Sequence, residues 1–233
     1  MFHFLEKNPF FFTVAVLVLF SIAGLVEILP DFAKASKPIE GLKPHTMLEV
    51  AGRQVYIKES CNACHSQLIR PFKSETDRYG KVSYSGEYAY DRPFLWGSKR
   101  TGPDLHRVGD YRTTDWHEHH MWEPAKTVEG SIMPAYKHLF VKMVDKNTAY
   151  AEAYTNKVVF DVPYDRDDIP HSTKLGTLEE ARASIVEEAK LIVADMKDQQ
   201  VKDAVQRGEI PEIVALIAYL NSLNSARRPL PTE

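Results

Sequence analysis

The chain of 233 residues is short of several things, and each shortage excludes something. It has two cysteines, Cys61 and Cys64, so no four-cysteine zinc module is available and no structural disulfide remains once both are used. It lacks an excess of positive charge: 29 basic against 32 acidic residues leave a net charge of −3, which argues against nucleic acid as a partner. Between Asn8 and Val26 it has no charged residue at all. Residues 66–100 lack any sustained periodicity, yet they carry Phe72, Tyr79, Tyr84, Tyr88, Tyr90, Phe94 and Trp96, too many rings for a disordered segment. With 44% apolar residues, the chain can bury one good core or two small ones.

The uncharged run comes first. Pro9 to Leu29 as a helix spans about 31 Å, enough for a bilayer core of about 30 Å. Phe10, Phe11 and Phe12 mark one interface, and Glu27, Pro30 and Asp31 end the span at the other. A cleaved signal peptide is the alternative, and Ala33-Lys34-Ala35 imitates its cleavage site, but the apolar stretch is longer than a usual signal h-region. The expectation is an uncleaved single-pass anchor over 1–30. Basic residues (Lys7 before the span; Lys34, Lys37 and Lys43 after it) favour a cytoplasmic C-terminal part, although large domains translocate with little regard to that count.

The two cysteines lie in Cys61-Asn62-Ala63-Cys64-His65, the C-x-x-C-H pattern of covalent haem c attachment. On one helical turn, positions i, i+3 and i+4 share a face, so both thiols and the imidazole can address one flat ligand. Cys61 and Cys64 would form the thioethers, and His65 would bind iron. A redox dithiol would sit in a βαβ context, which is missing, and zinc would need further ligands. Haem c is attached outside the bacterial cytoplasm, so this reading puts the domain in the periplasm, on the inner membrane. Met133, in a polar loop stiffened by Pro134, is the expected second iron ligand, as in cytochromes c. Met121 is the next candidate, and Met47, Met143 and Met196 compete. His117-x-His119-His120 suggests metal binding, but reads more simply as a solvated or packing face.

Residues 31–45 read as a linker. Thr46 and Glu49 form a capping box that starts a helix with Leu48, Val55 and Tyr56 on its apolar side. An acidic run from Asp161 to Asp168 reads as solvated surface. A second capping box, Thr177 and Glu180, precedes Leu178, Ala181, Ile185, Ala189, Ile192 and Met196, one apolar face of a helix expected over 178–200. A final helix from about Pro211 to Leu223 is apolar almost all round and should be buried on more than one side.

A helix entering C-x-x-C-H, a Gly102-Pro103-Asp104-Leu105 turn, a Met-Pro loop and a buried last helix resemble a class I cytochrome c domain. Longer strings narrow this: Cys64 to Phe72, Glu75, Arg78-Tyr79-Gly80, Trp96 to Leu105, Asp115-Trp116-His117 and Met133-Pro134-Ala135-Tyr136 resemble subunit II (CcoO) of cbb3-type cytochrome c oxidases. The resemblance implies a mainly α fold: one N-terminal transmembrane helix, then a class I cytochrome c-like helical domain with long loops and an inserted helix. The divisions expected are the anchor 1–30, the linker 31–45, the cytochrome domain 46–137 with 207–224, the insertion 138–206 and a tail 225–233. The insertion is longer and more acidic than the family's usual pattern.

The resemblance further implies that Gly52 and Tyr56 meet Tyr219 where the terminal helices cross. It implies that the Pro103 carbonyl orients His65, that Leu105 packs on the haem, and that a calcium ion lies near Ser98. The stretch Arg92–Arg100 is expected to dock a partner or, through Arg100, to clamp the haem propionates. The chain would not be an enzyme alone. It would relay electrons to a haem–copper catalytic subunit that reduces oxygen and pumps protons, beside a further cytochrome c subunit. Alternatives are the cytochrome c subunit of a nitric oxide reductase, which lacks the Ile69–Phe72 and Trp96–Arg100 strings, or a haem-based sensor or stand-alone tethered carrier.

Overall fold

The structure, a computed structural model, describes residues 2–33, 37–165 and 174–229. It divides into two units, Met1–Lys37 and Pro38–Glu233. Among the described residues there is no strand, and the mainly α expectation holds.

The first unit is two helices, α1 (Phe2–Lys7) and α2 (Pro9–Ala33). Asn8 separates them, turning its side-chain amide to the carbonyl of Phe4 at 2.7 Å. Pro9 sits where its missing N–H has no helical partner to lose. Pro9–Leu29 is long and apolar enough to cross a membrane, and its most apolar stretch has no residue buried inside the protein. The helix itself continues to Ala33, four residues past the apolar run.

The second unit is organised on α3 (Met47–Lys58). Its capping box forms as the pattern predicts: the Glu49 N–H donates to Thr46 Oγ1 at 3.2 Å, and the Thr46 N–H donates to the Glu49 carboxylate at 2.8 Å. After it come α4 (Lys73–Tyr79), α5 (Thr114–Trp122), α6 (Pro124–Thr127), α7 (Lys146–Phe160), α8 (Leu178–Ala194), α9 (Gln199–Gln206) and α10 (Glu212–Ser222). Helix α10 crosses α3, and Ile213 to Leu220 are all at most 3% exposed, as its all-round apolar surface demands. Gly52 sets the distance of approach: a Cβ there would lie 1.9 Å from the Ala215 carbonyl oxygen. The rings of Tyr56 and Tyr219 meet edge-on at 5.4 Å beside it.

Three expectations change in detail. The helix expected over 178–200 is two helices, α8 and α9. The chain turns at 195–198 because Asp198 caps α9, and Glu118 accepts the N–H groups of Lys197 and Asp198 at 2.7 Å each. Helix α7 is an additional element of the insertion, packed on α3 and α8 through Ala149 and Ala153, both fully buried. Small residues carry little hydropathy contrast, so its periodicity is faint in the sequence. The ends of the linker and tail belong to the second unit. Leu42 and His45 are buried, Arg227 reaches Glu49, and Arg228, 2% exposed, donates to Asp91 at 2.8 Å. In the acidic run, Val162 and Tyr164 are buried, whereas residues 166–168 lie outside the described residues, as do 34–36 of the linker and 230–233 of the tail.

Candidate functional site

Helix α3 stops at Glu59, and Ser60 takes a left-handed conformation (φ 56°) that turns the chain into a short 3-10 turn, Cys61–Ala63. The Cys61 carbonyl accepts from the Cys64 N–H at 3.2 Å and the His65 N–H at 2.9 Å, so one turn displays both thiols and the imidazole. Cys61 is half-buried and Cys64 exposed. Burial pushes the Cys61 thiol up to about 12. A thiol so poorly ionised is a weak redox nucleophile.

His65 is held in one tautomer and one orientation. Its Nδ1–H donates to the Pro103 carbonyl at 2.8 Å, which leaves the Nε2 lone pair for another partner. Burial lowers its pKa, against the Pro103 bond, and favours the neutral ring that a metal needs. Gly102 lies against the imidazole: a Cβ on it would stand 2.2 Å from Cε1 and 2.8 Å from each ring nitrogen. Only glycine lets the chain pass this ring. Two strands of loop then zip together, the Gly102 N–H donating to the Cys64 carbonyl at 3.0 Å and the Leu105 N–H to that of Ser66 at 2.8 Å. Gly97 closes the other side, where a Cβ would meet the His65 carbonyl oxygen at 2.9 Å and φ is +68°.

Arg100 and Asp104 brace this corner. The Asp104 carboxylate accepts from Ser66 Oγ at 2.7 Å and from the Leu68 N–H at 2.8 Å. Arg100 donates to Ser66 Oγ at 2.6 Å, the Leu68 carbonyl at 2.6 Å and the Glu75 carboxylate at 2.7 Å. Its Nε and one terminal nitrogen are thus engaged by protein groups, and the residue expected to clamp propionates is placed as a cross-tie. Within the Arg92–Arg100 stretch, the half-exposed rings of Phe94 and Trp96 stack at 4.5 Å.

Met133, Leu105, Cys61 and Tyr136 pack against the same apolar cluster. The loop bearing Met133 is tied to α5, because the Tyr136 N–H donates to the Met121 carbonyl at 2.8 Å. Of the competing methionines, Met47, Met121 and Met196 are buried in the core and Met143 is exposed.

The three histidines of α5 are divided by the helix. His119 is exposed and stands with Asp115 and Glu118, the one group of three side chains that could hold a metal ion among the described residues. Both carboxylates there are engaged, Asp115 with Lys197 at 2.8 Å and Glu118 on the cap of α9. His117 and His120 share the other face. Burial pushes both down to about 4, helped for His117 by His120 and for His120 by His65, with Arg112 adding to each, so both are neutral at pH 7. Ser98 is exposed. Sequence reasoning passed over Gly102 as a contact to His65, and it dismissed His117 and His120. The i, i+3 spacing of those two histidines was the signal available.

Comparison with known families matches residues 2–226 to the family described as Cytochrome C oxidase, mono-heme subunit/FixO. The chain belongs to this family. Its members are thus one-haem electron-transfer subunits of a cytochrome c oxidase, and the neutral, oriented His65 one residue after a thiol pair suits such a group. No curated protein matches the chain. The Ile69–Phe72 and Trp96–Arg100 strings have a place in this corner. The Trp96 carbonyl accepts from the Gln67 N–H at 2.9 Å, and Arg70 and Arg100 share Glu75.

Proposed function

We propose that this chain is the membrane-anchored monohaem subunit of a cbb3-type oxidase, relaying electrons to the oxygen-reducing haem–copper subunit beside a further cytochrome c subunit. The observation that carries the reading is the His65 ring, locked by Pro103 and Gly102 with Nε2 free, directly after two unpaired cysteines. Cys61 and Cys64 would hold one haem c through thioethers, and His65 and Met133 would hold its iron. The haem supplies a reversible one-electron couple. With both His65 and Met133 on the iron, no position would be left for substrate, which suits relay and not catalysis. Leu105 lines the apolar side. Arg100, through Ser66 and Leu68, keeps the His65 corner rigid. Helix α2 anchors the domain on the periplasmic side of the inner membrane and keeps it at high effective concentration beside its partners. A calcium ion near the catalytic subunit's haem propionates belongs to the same reading, with Ser98 the nearest candidate on this chain.

The test is a denaturing gel of the full chain, made in a host that attaches haem c and stained for haem peroxidase activity. A stained band at the mass of the chain is expected, and it should vanish in Cys61→Ala/Cys64→Ala. Haem that extracts into acidified organic solvent overturns the attachment. Reduced protein should show no spectral change under carbon monoxide, whereas rapid stoichiometric binding means an open iron and favours the sensor.

A further inference from the structure

His117 and His120 lie three residues apart on one face of α5. His117 is 2% exposed, and neither of its ring nitrogens has a hydrogen-bond partner among the described residues; the same holds for Nδ1 of His120. An orphaned buried polar group costs about 1–3 kcal/mol, and an apolar side chain of similar size would fill the same volume without that cost. Two such groups on one face therefore point to a partner. The place of that face says which. The His120 ring lies within electrostatic range of the His65 ring. Met121, on the same turn, accepts from Tyr136 in the loop that bears Met133. Helix α5 thus runs beside both His65 and the loop that bears Met133. The His120 ring is fixed in plane, stacked on Trp116 at 4.4 Å, with Arg112 4.2 Å from the Trp116 ring. The face is unlike a metal site, since the acidic groups of α5 lie with His119.

Resting on the haem reading above, we infer that His117 and His120 each donate a ring N–H to an acceptor that arrives with the haem. That acceptor is either a propionate carboxylate or the sulphur of iron-bound Met133. Both histidines are positioning residues and neither is an iron ligand. The positive end of an N–H dipole beside the haem favours the less positive, reduced iron. Removing it lowers the midpoint potential, whichever acceptor it serves.

The experiment uses the full haem-loaded chain with His117→Phe, His120→Phe and the corresponding Gln variants. Four quantities are read: haem per chain, midpoint potential, the ferric sulphur-to-iron charge-transfer band and the propionate-bending line in resonance Raman spectra. Full haem content is expected throughout, with a midpoint that falls in the Phe variants and recovers in part in the Gln variants, which keep an N–H donor. A moved charge-transfer band assigns the Met133 sulphur, and a moved propionate line assigns the carboxylate. An unchanged midpoint with both bands in place, in loaded Phe variants, overturns the inference and leaves the haem reading intact. Absence of covalent haem from the unmodified chain overturns the haem reading instead. If a Phe variant does not fold, nuclear magnetic resonance of the unmodified ferrous protein decides. Slowly exchanging ring N–H protons on both histidines support the inference, and rapid exchange at both rejects it.

Discussion

The crossing of α3 and α10 and the loop corner of residues 66–113 are held together by different means. The crossing is apolar, with Leu48, Val55, Ile213, Leu216 and Ile217 buried and Gly52 letting the backbones touch. The corner, poor in regular elements, is tied by buried ions. Glu87 lies between His106 at 2.9 Å and Arg107 at 2.8 Å, and Asp91 between His45 at 2.7 Å and Arg228 at 2.8 Å. Apolar burial is non-directional and serves helices that satisfy their own backbone. A loop brings inward backbone and side-chain polar groups that need specific partners, so charged residues become its cross-ties. The two regions should therefore fail under different insults.

The largest effect is expected from Asp91→Ala, which leaves Arg228 buried without its carboxylate. Loss of one partner of a buried pair costs about 3–5 kcal/mol, to be measured by urea unfolding of the haem-loaded chain. A loss below about 1 kcal/mol would place the tail and corner outside the cooperative fold. Acid should strike the same region. Burial alone would raise the Glu87 carboxyl, but the bonds from His106 and Arg107 outweigh it and hold it at about 2, against an ordinary value of 4.5. Because the folded value is the lower one, this contribution is fully present above about pH 4.5 and drains away as pH falls towards about 2. A plot of stability against pH should fall across that window, and Glu87→Gln should flatten it. The helix crossing should be struck by volume instead. Gly52→Ala puts a methyl 1.9 Å from the Ala215 carbonyl oxygen and should cost about 1–3 kcal/mol or more by overpacking, with the same acid profile as the parent chain. A changed acid profile would mean that the two regions are not separable. The smallest effect is Thr177→Ala, which removes the α8 capping box at an exposed helix start and should cost about 1 kcal/mol by thermal or urea unfolding.

What could be read from the sequence alone is what neighbours along the chain decide. The apolar span Pro9–Leu29, the capping boxes at Thr46 and Thr177, the all-round apolar α10 and the C-x-x-C-H turn each depend on spacings of a few residues. Hydropathy and side-chain chemistry fix those spacings before any long-range contact forms. What only the tertiary structure decided depends on groups far apart in sequence that complement one another in shape or charge. Pro103 holds His65 from 38 residues away, and Arg228 closes on Asp91 from 137 residues away. Glu118 on α5 caps the turn that divides α8 from α9, and alanines make α7 a packing helix with hardly any hydropathic signature. His117 and His120 look like neighbours of His119 in the sequence, yet three residues make nearly a full turn and bring those two together, while two residues make little more than half a turn and set buried His117 away from exposed His119.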